Sequence, residues 1–303
     1  MKPFIILLIF MLINYKYYSQ NIIQLTFDNT KYTRSQWSPN GEIIAFTDEN
    51  CNKLFIINKD GSNKEVLLED EGVGYKFVWS EDNKEIAYRG TKSNMQYIGI
   101  VEIISKKNQI ISKEGKRIQP PFWTYYNNGK IVGYIVNDAL LTSDTLSYSK
   151  NFQFKNYRNL NKTLYFKSDG LYLINEEGIL VKFTDNIAFD PVFSPDKTKV
   201  VYFDYESQNL VVINVDGSNR INIGNGNHPS WSPDGNNIVY QITIDGDHKI
   251  IGSDLFIYDV LNKTSIKITD TPDEIEDYPS WSPNGESIIY NSLISGQLYK
   301  IIL

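Results

Sequence analysis

The chain of 303 residues contains one cysteine and two histidines. A lone Cys51 excludes an internal disulfide and a cysteine-ligated zinc site, and two histidines leave little for multi-histidine metal chemistry. Basic residues are in the minority, 30 against 36 acidic, so the phosphate backbone of nucleic acid is a poor partner for a net charge of −6. No window sustains a 3.6-residue apolar period, so helix should be scarce. A G-x-S-x-G nucleophile elbow is missing too. The nearest fragments, Asp60-Gly61-Ser62-Asn63 and Asp216-Gly217-Ser218-Asn219, read as hairpin turns. What the chain has in quantity is aromatic surface: 21 Tyr, 15 Phe and 5 Trp. With 41% hydrophobic residues, that supports a large core and excludes disorder.

The longest apolar run, Phe4 to Ile13, follows Lys2 and is too short to span a bilayer comfortably. Residues 1–20 therefore read as a signal peptide, cleaved near Ser19/Gln20, with residues 21–303 as one mature domain. Loss of Lys2 and Lys16 leaves 28 basic against 36 acidic groups. The expected product is periplasmic or secreted, acidic, and without a stable membrane span.

All five tryptophans share one context. Trp37-Ser38-Pro39-Asn40-Gly41, Trp231-Ser232-Pro233-Asp234-Gly235 and Trp281-Ser282-Pro283-Asn284-Gly285 are full copies, and Trp79 and Trp123 begin weaker ones. Phe193 heads a sixth copy and Tyr157 a degraded seventh. An apolar residue and an aromatic follow seven and nine positions on, as in Ile44/Phe46 and Ile238/Tyr240; the Trp123 copy carries two extra residues in its turn. Pro fixes the first corner of such a turn, Asp or Asn takes the second, and Gly supplies the left-handed residue. Anchors 34 to 50 residues apart, each leading several short strands, indicate propeller blades. The fold expected is all-β: seven four-stranded blades, with six as the alternative. Trp37, Trp79, Trp123, Tyr157, Phe193, Trp231 and Trp281 should wedge between neighbouring sheets. Only three strands' worth of chain follows Trp281, so Ile22–Thr26 should pair with Leu298–Leu303 and close the ring.

The W-S-P-D-G pattern followed by I-x-Y/F resembles the TolB-like propellers with their WD-like repeats. Related repeats precede the catalytic domain of prolyl-oligopeptidase-like peptidases. The resemblance is to the propeller part only; it implies the fold and a protein-interaction role in the cell envelope.

Residues just ahead of each anchor should ring the channel entrance: Arg34, Lys76, Asp190, His228 and Asp277 among them. The run Asp270 to Asp277, with Asp273, Glu274 and Glu276, should form an acidic loop in water. The insertion at 242–253 should stand beside it on the same face, where long loops on a rigid scaffold commonly bind. No cofactor is expected, with Ca²⁺ at the acidic loop as the one candidate. The favoured function is a non-enzymatic, monomeric binding module whose partner is an envelope protein, basic or carrying a cation. The alternatives are a lyase or hydrolase at the channel mouth, and a sensor of a small ligand or cation. Propeller lyases of the oligogalacturonate type use several histidines at a metal, which two histidines do not favour.

Overall fold

The computed structural model describes residues 21–126, 129–136, 139–143, 157–158, 164–167, 169–174, 180–247, 249–271 and 274–303. The signal-peptide reading of residues 1–20 lies outside these, as do Asp273 and the weakly patterned stretch 144–156. Among the described residues the regular structure is strand throughout, and no helix is long and apolar enough to cross a membrane.

Among the described residues seven antiparallel sheets follow one another along the chain, and five of them are complete four-stranded blades. Blade 1 holds β2 (Tyr32–Trp37), β3 (Ile43–Asp48), β4 (Lys53–Asn58) and β5 (Glu65–Glu69). Blade 2 holds β6 (Phe77–Trp79), β7 (Glu85–Lys92), β8 (Met95–Glu102) and β9 (Asn108–Ile110). Blade 3 runs through β17 (Ala188–Phe193), β18 (Lys199–Asp204), β19 (Asn209–Asn214) and β20 (Ile221–Gly224). Blade 4 comprises β21 (Asn227–Trp231), β22 (Asn237–Gly246), β23 (Lys249–Asp259) and β24 (Thr264–Lys267). Blade 5 joins β25 (Glu276–Trp281), β26 (Ser287–Ser292) and β27 (Leu298–Ile302) to β1 (Asn21–Gln24), from the other end of the chain.

That last pairing is the expected closure. Ile22 lies opposite Ile301, and the Leu25 N–H donates to the Leu298 carbonyl at 2.8 Å. β1 thereby covers the edge of β27 and ties the two ends of the chain into one sheet.

Among the described residues the expectation of seven four-stranded blades, or six, is corrected to five. Between blades 2 and 3 lie β10 (Phe122–Tyr126), β11 (Gly129–Val136) and β12 (Ala139–Thr142), then β13 (Tyr157–Arg158), β14 (Leu164–Lys167), β15 (Gly170–Ile174) and β16 (Leu180–Lys182). Tyr157 does not open a blade. Its two-residue strand pairs back onto β10, Tyr126 opposite Tyr157, which leaves β14–β16 as a three-stranded sheet. The physical reason is in the turns: neither Trp123 nor Tyr157 is followed by the Ser-x-Asp/Asn that closes the turn after the anchor in all five complete blades.

Where the turn is present, it is held by its own side chains. Ser38 is fully buried; its carbonyl accepts from Gly41 N–H at 2.9 Å and its hydroxyl from Ile43 N–H at 3.0 Å. The same hydroxyl donates to Asn40 at 2.8 Å. Ser80–Asp82, Ser194–Asp196 and Ser282–Asn284 repeat that bond at 2.6, 2.6 and 2.7 Å. The left-handed corner falls on Gly41, Gly235 and Gly285 at φ of 72°, 72° and 80°.

These turns set the register. Trp37, Trp79, Phe193, Trp231 and Trp281 lie opposite Ile44, Ile86, Val200, Ile238 and Ile288. Trp123 lies opposite Val132, as its two extra turn residues require. Indole N–H groups then reach the preceding sheet: Trp37 donates to Ser280 O at 3.2 Å, Trp123 to Val78 O at 3.1 Å and Trp231 to Val192 O at 3.0 Å. Six apolar cores fill the spaces between consecutive sheets, such as Leu54, Ile56, Trp79 and Tyr88 between blades 1 and 2.

Candidate functional site

Each inner strand of a complete blade enters from the channel mouth, and in four of the five it is bulged at one place. The register slips between Thr33 and Gln36, Phe189 and Val192, Asn227 and Ser230, and Asp277 and Ser280. Within each slip the residue three before the anchor is left-handed: Arg34, Asp190, His228 and Tyr278, at φ of 57°, 46°, 48° and 50°. None is glycine or asparagine, which take that conformation most cheaply; others pay about 1–3 kcal/mol. Lys76 and Pro120 hold the corresponding place ahead of Trp79 and Trp123. All six residues line one cavity of about 760 Å³.

Inside it the side chains form a continuous polar and aromatic chain. The Arg89 and Arg34 guanidinium carbons each lie 4.9 Å from the centre of the Tyr75 ring. Arg34 is equally 4.9 Å from the Tyr278 ring, and His228 stacks on Tyr278 with centroids 3.8 Å apart. His228 Nδ1 is 3.2 Å from Asp277 and 3.1 Å from the Gln241 amide oxygen, and its Nε2 is 3.8 Å from Asp190. Lys76 reaches Asp190 at 3.4 Å. Burial pushes the Tyr278 phenol upward despite the opposing charge of Arg34, and burial lowers the Arg89 guanidinium.

Arg34, Lys76, Asp190, His228 and Asp277 are thus brought together. The acidic loop behaves differently from the solvated loop expected. Glu276 is fully buried, bonded through Oε1 to Thr271, with Oε2 unpartnered among the described residues. Burial raises its carboxyl above the ordinary range. Glu274 accepts from the Ser292 hydroxyl, Asp277 is 8% exposed, and Asp273 lies outside the described residues. The loop turns inward because the strand register places Glu276 opposite Ser292, on a strand buried along its whole length. The insertion at 242–253 extends the β22–β23 hairpin and meets the loop at a Ser253–Ile275 bridge. Among the described residues no group of three His, Cys, Asp or Glu side chains is arranged to hold a metal ion.

Sequence reasoning missed a second tier. Ten positions after the anchor stand Thr47, Arg89, Gln241 and Asn291, polar interruptions in central strands. Each reaches the next sheet. Gln241 accepts from Tyr278 N–H at 2.9 Å, Asn291 accepts from Ser35 N–H at 3.2 Å, and Arg89 donates to Ile118 O at 2.9 Å. Thr47 packs so closely on Gly74 that a Cβ there would lie 1.8 Å from its hydroxyl oxygen. The recurrence of polar residues at that register was the available signal.

Fold and site define a β-propeller with a side-chain-lined channel mouth. Residues 164–302 match the PD40 model, the TolB beta propeller domain, a stretch that holds the repeats headed by Phe193, Trp231 and Trp281. No curated protein matches the sequence. Among solved structures, the beta-propeller domain of Myceliophteria thermophila Cps50 (Swd1) is similar at 10% identity and TM-score 0.62, over 94% of this chain and 99% of that one. TolB from Acinetobacter baumannii is similar at 12% identity and TM-score 0.51, over 90% of this chain; the match spans 64% of TolB. An oligogalacturonate lyase in complex with manganese is similar at 14% identity and TM-score 0.50, over 92% and 79%. Likeness at such identities establishes the shared fold, and a fold of this kind hosts unrelated functions.

Proposed function

We propose that the chain is an exported binding module that engages a partner protein of the cell envelope through its channel mouth. The observation that carries this reading is the repeated left-handed bulge. Four blades hold Arg34, Asp190, His228 and Tyr278 in the same costly conformation, and each side chain enters the same cavity. Strain repeated at one register, and never relieved by glycine, is strain kept for the direction it gives a side chain. A binding role also suits His228, whose two ring nitrogens face Asp277, Gln241 and Asp190. That imidazole is employed in holding the mouth together. The TolB-type repeat supports the envelope setting.

The partner's charge is read differently from the sequence expectation of a basic or cation-bearing ligand. Glu276 and Asp277 of the acidic run are buried, and the cations Arg34, Lys76 and Arg89 line the cavity. Capture from envelope extract tests the reading, with the mature chain as bait and an Arg34→Glu/Lys76→Glu variant beside it. By strand order the Asp216-Gly217 turn lies on the opposite face, so Asp216→Lys serves as the control. A partner retained by wild type and the control, and lost by the mouth variant at unchanged melting temperature, is the expected result. Loss on the Asp216 side alone would place the interface on the wrong face of this proposal.

A further inference from the structure

Arg34 differs from the other charged groups at the mouth. Lys76 has Asp190, Asp277 and Asp190 have His228, and Arg89 has the Ile118 carbonyl. Among the described residues no hydrogen bond or ion pair reaches Arg34, and its Nε is buried without a partner. Its guanidinium lies over Tyr75 and Tyr278, whose ring faces attract the charge but accept no conventional hydrogen bond from its N–H groups. A buried donor left unsatisfied costs about 1–3 kcal/mol, and more when charged. The mouth therefore holds a cation placed between two rings, with no protein acceptor among the described residues.

We propose that this acceptor is a carboxylate of the ligand, so that the mouth is a carboxylate-recognition site with Arg34 as its specificity residue. The inference rests on the mouth being the binding site, as proposed above, and adds the chemistry recognised there. The guanidinium fork matches a planar carboxylate, to which it can donate two parallel hydrogen bonds. A phosphate dianion is disfavoured because Asp190 and Asp277 already place two negative charges around His228. The rest of the wall combines apolar side chains, Phe77, Phe189, Pro191, Pro229 and Pro279, with serines and glutamines. A cavity of about 760 Å³ admits more than an isolated acid group. The ligand is a carboxylate attached to an apolar or aromatic body, as at the end of a peptide chain or in a free carboxylic acid.

The test uses the mature chain labelled with ¹⁵N-arginine, reading the Arg34 Nε–H resonance, which is assigned by its loss in Arg34→Lys. The probes are acetyl-Ala-Ala-Phe as free acid, the same peptide as its C-terminal amide, N-acetylphenylalanine, and inorganic phosphate. The free acid should shift the Arg34 signal saturably, the amide should bind at least about tenfold more weakly, and phosphate should not compete. Arg34→Lys should weaken the acid by about tenfold or more at unchanged melting temperature, because the charge remains and the fork is lost. Tighter binding of the tripeptide than of N-acetylphenylalanine identifies a chain end as the source, and equal binding a free acid. Equal binding of acid and amide, competition by phosphate, or an Arg34 signal indifferent to every probe overturns the proposal. Mouth-dependent capture of an envelope partner combined with equal acid and amide binding would sink the carboxylate while leaving the binding module standing. Acid binding without such capture would do the reverse.

Discussion

Blades 1 to 5 and the arc from Phe122 to Lys182 are built from similar strands, yet only the first group assembles into complete blades. Apolar cores join each consecutive pair of sheets around the ring, save that none among the described residues joins the two sheets of the arc to each other. The difference is not hydrophobicity, since Val132, Tyr134 and Leu171 are as buried as their counterparts in blade 1. It lies in the Ser-x-Asp/Asn turn, whose serine hydroxyl fixes where the second strand starts and so which residue faces the anchor. Alternating apolar residues suffice to make a sheet. A blade also needs its register pinned.

The comparison can be broken at its strongest point first. Deleting Asn21–Thr26 removes a whole strand from blade 5, together with the buried Leu25 and Thr26. The melting temperature should fall by roughly 10 °C or more; a smaller fall measured by calorimetry would show that the ring does not depend on its closure. Next, Trp231→Ala should cost about 3–5 kcal/mol in denaturant unfolding. Tyr157→Ala, in a two-residue strand outside any complete blade, should cost less than about 1 kcal/mol. Equal costs would erase the distinction between blade and arc.

The smallest expected effects are electrostatic. Partial burial pulls the Asp28 and Asp82 carboxyls upward, but hydrogen bonds from Lys64, Tyr32 and Thr30, and from Ser80 and Lys130, outweigh it and hold both at about 2. Asp196, bonded by Ser194 and Thr198, is also held at about 2. Depressed carboxylates stabilise the fold above their unfolded value near 3.8, and that contribution is lost as pH falls toward 2. Glu276 has the opposite sign. Its raised carboxyl favours the folded state when protonated, so stability is lost as pH rises from 4.5 through the folded value. Glu276→Gln should therefore raise the melting temperature at neutral pH and flatten its pH dependence above 4.5. A lower melting temperature for this variant would show that the carboxylate is compensated.

Much of this was legible in the chain. The anchor-to-partner spacing of seven gave the register of all five complete blades, and the short C-terminal remainder gave the closure. Tyr157 misled because a spacing rule was applied to a stretch without the turn that enforces it. At the mouth, position ahead of the anchor found Arg34, Lys76, Asp190 and His228, since the inner strand always enters there. Composition misplaced Glu276: five acidic residues in eight suggested water, whereas the register across from Ser292 buries that side chain. Arg89, Gln241 and Asn291 went unread because a polar residue in a central strand looks like noise until its recurrence at one register is noticed.

The bulge has a consequence for how such a molecule can change. It adds one residue to the inner strand without altering the pairing of the anchor, so the side chain at that place is not tied to the cross-strand register. Arginine, aspartate, histidine and tyrosine already occupy it in different blades at nearly the same backbone angle. The ring is therefore a set of interchangeable letters on a fixed frame. A new ligand preference can be written at 34, 190, 228 and 278 while the turns, anchors and cores that fold the protein stay as they are.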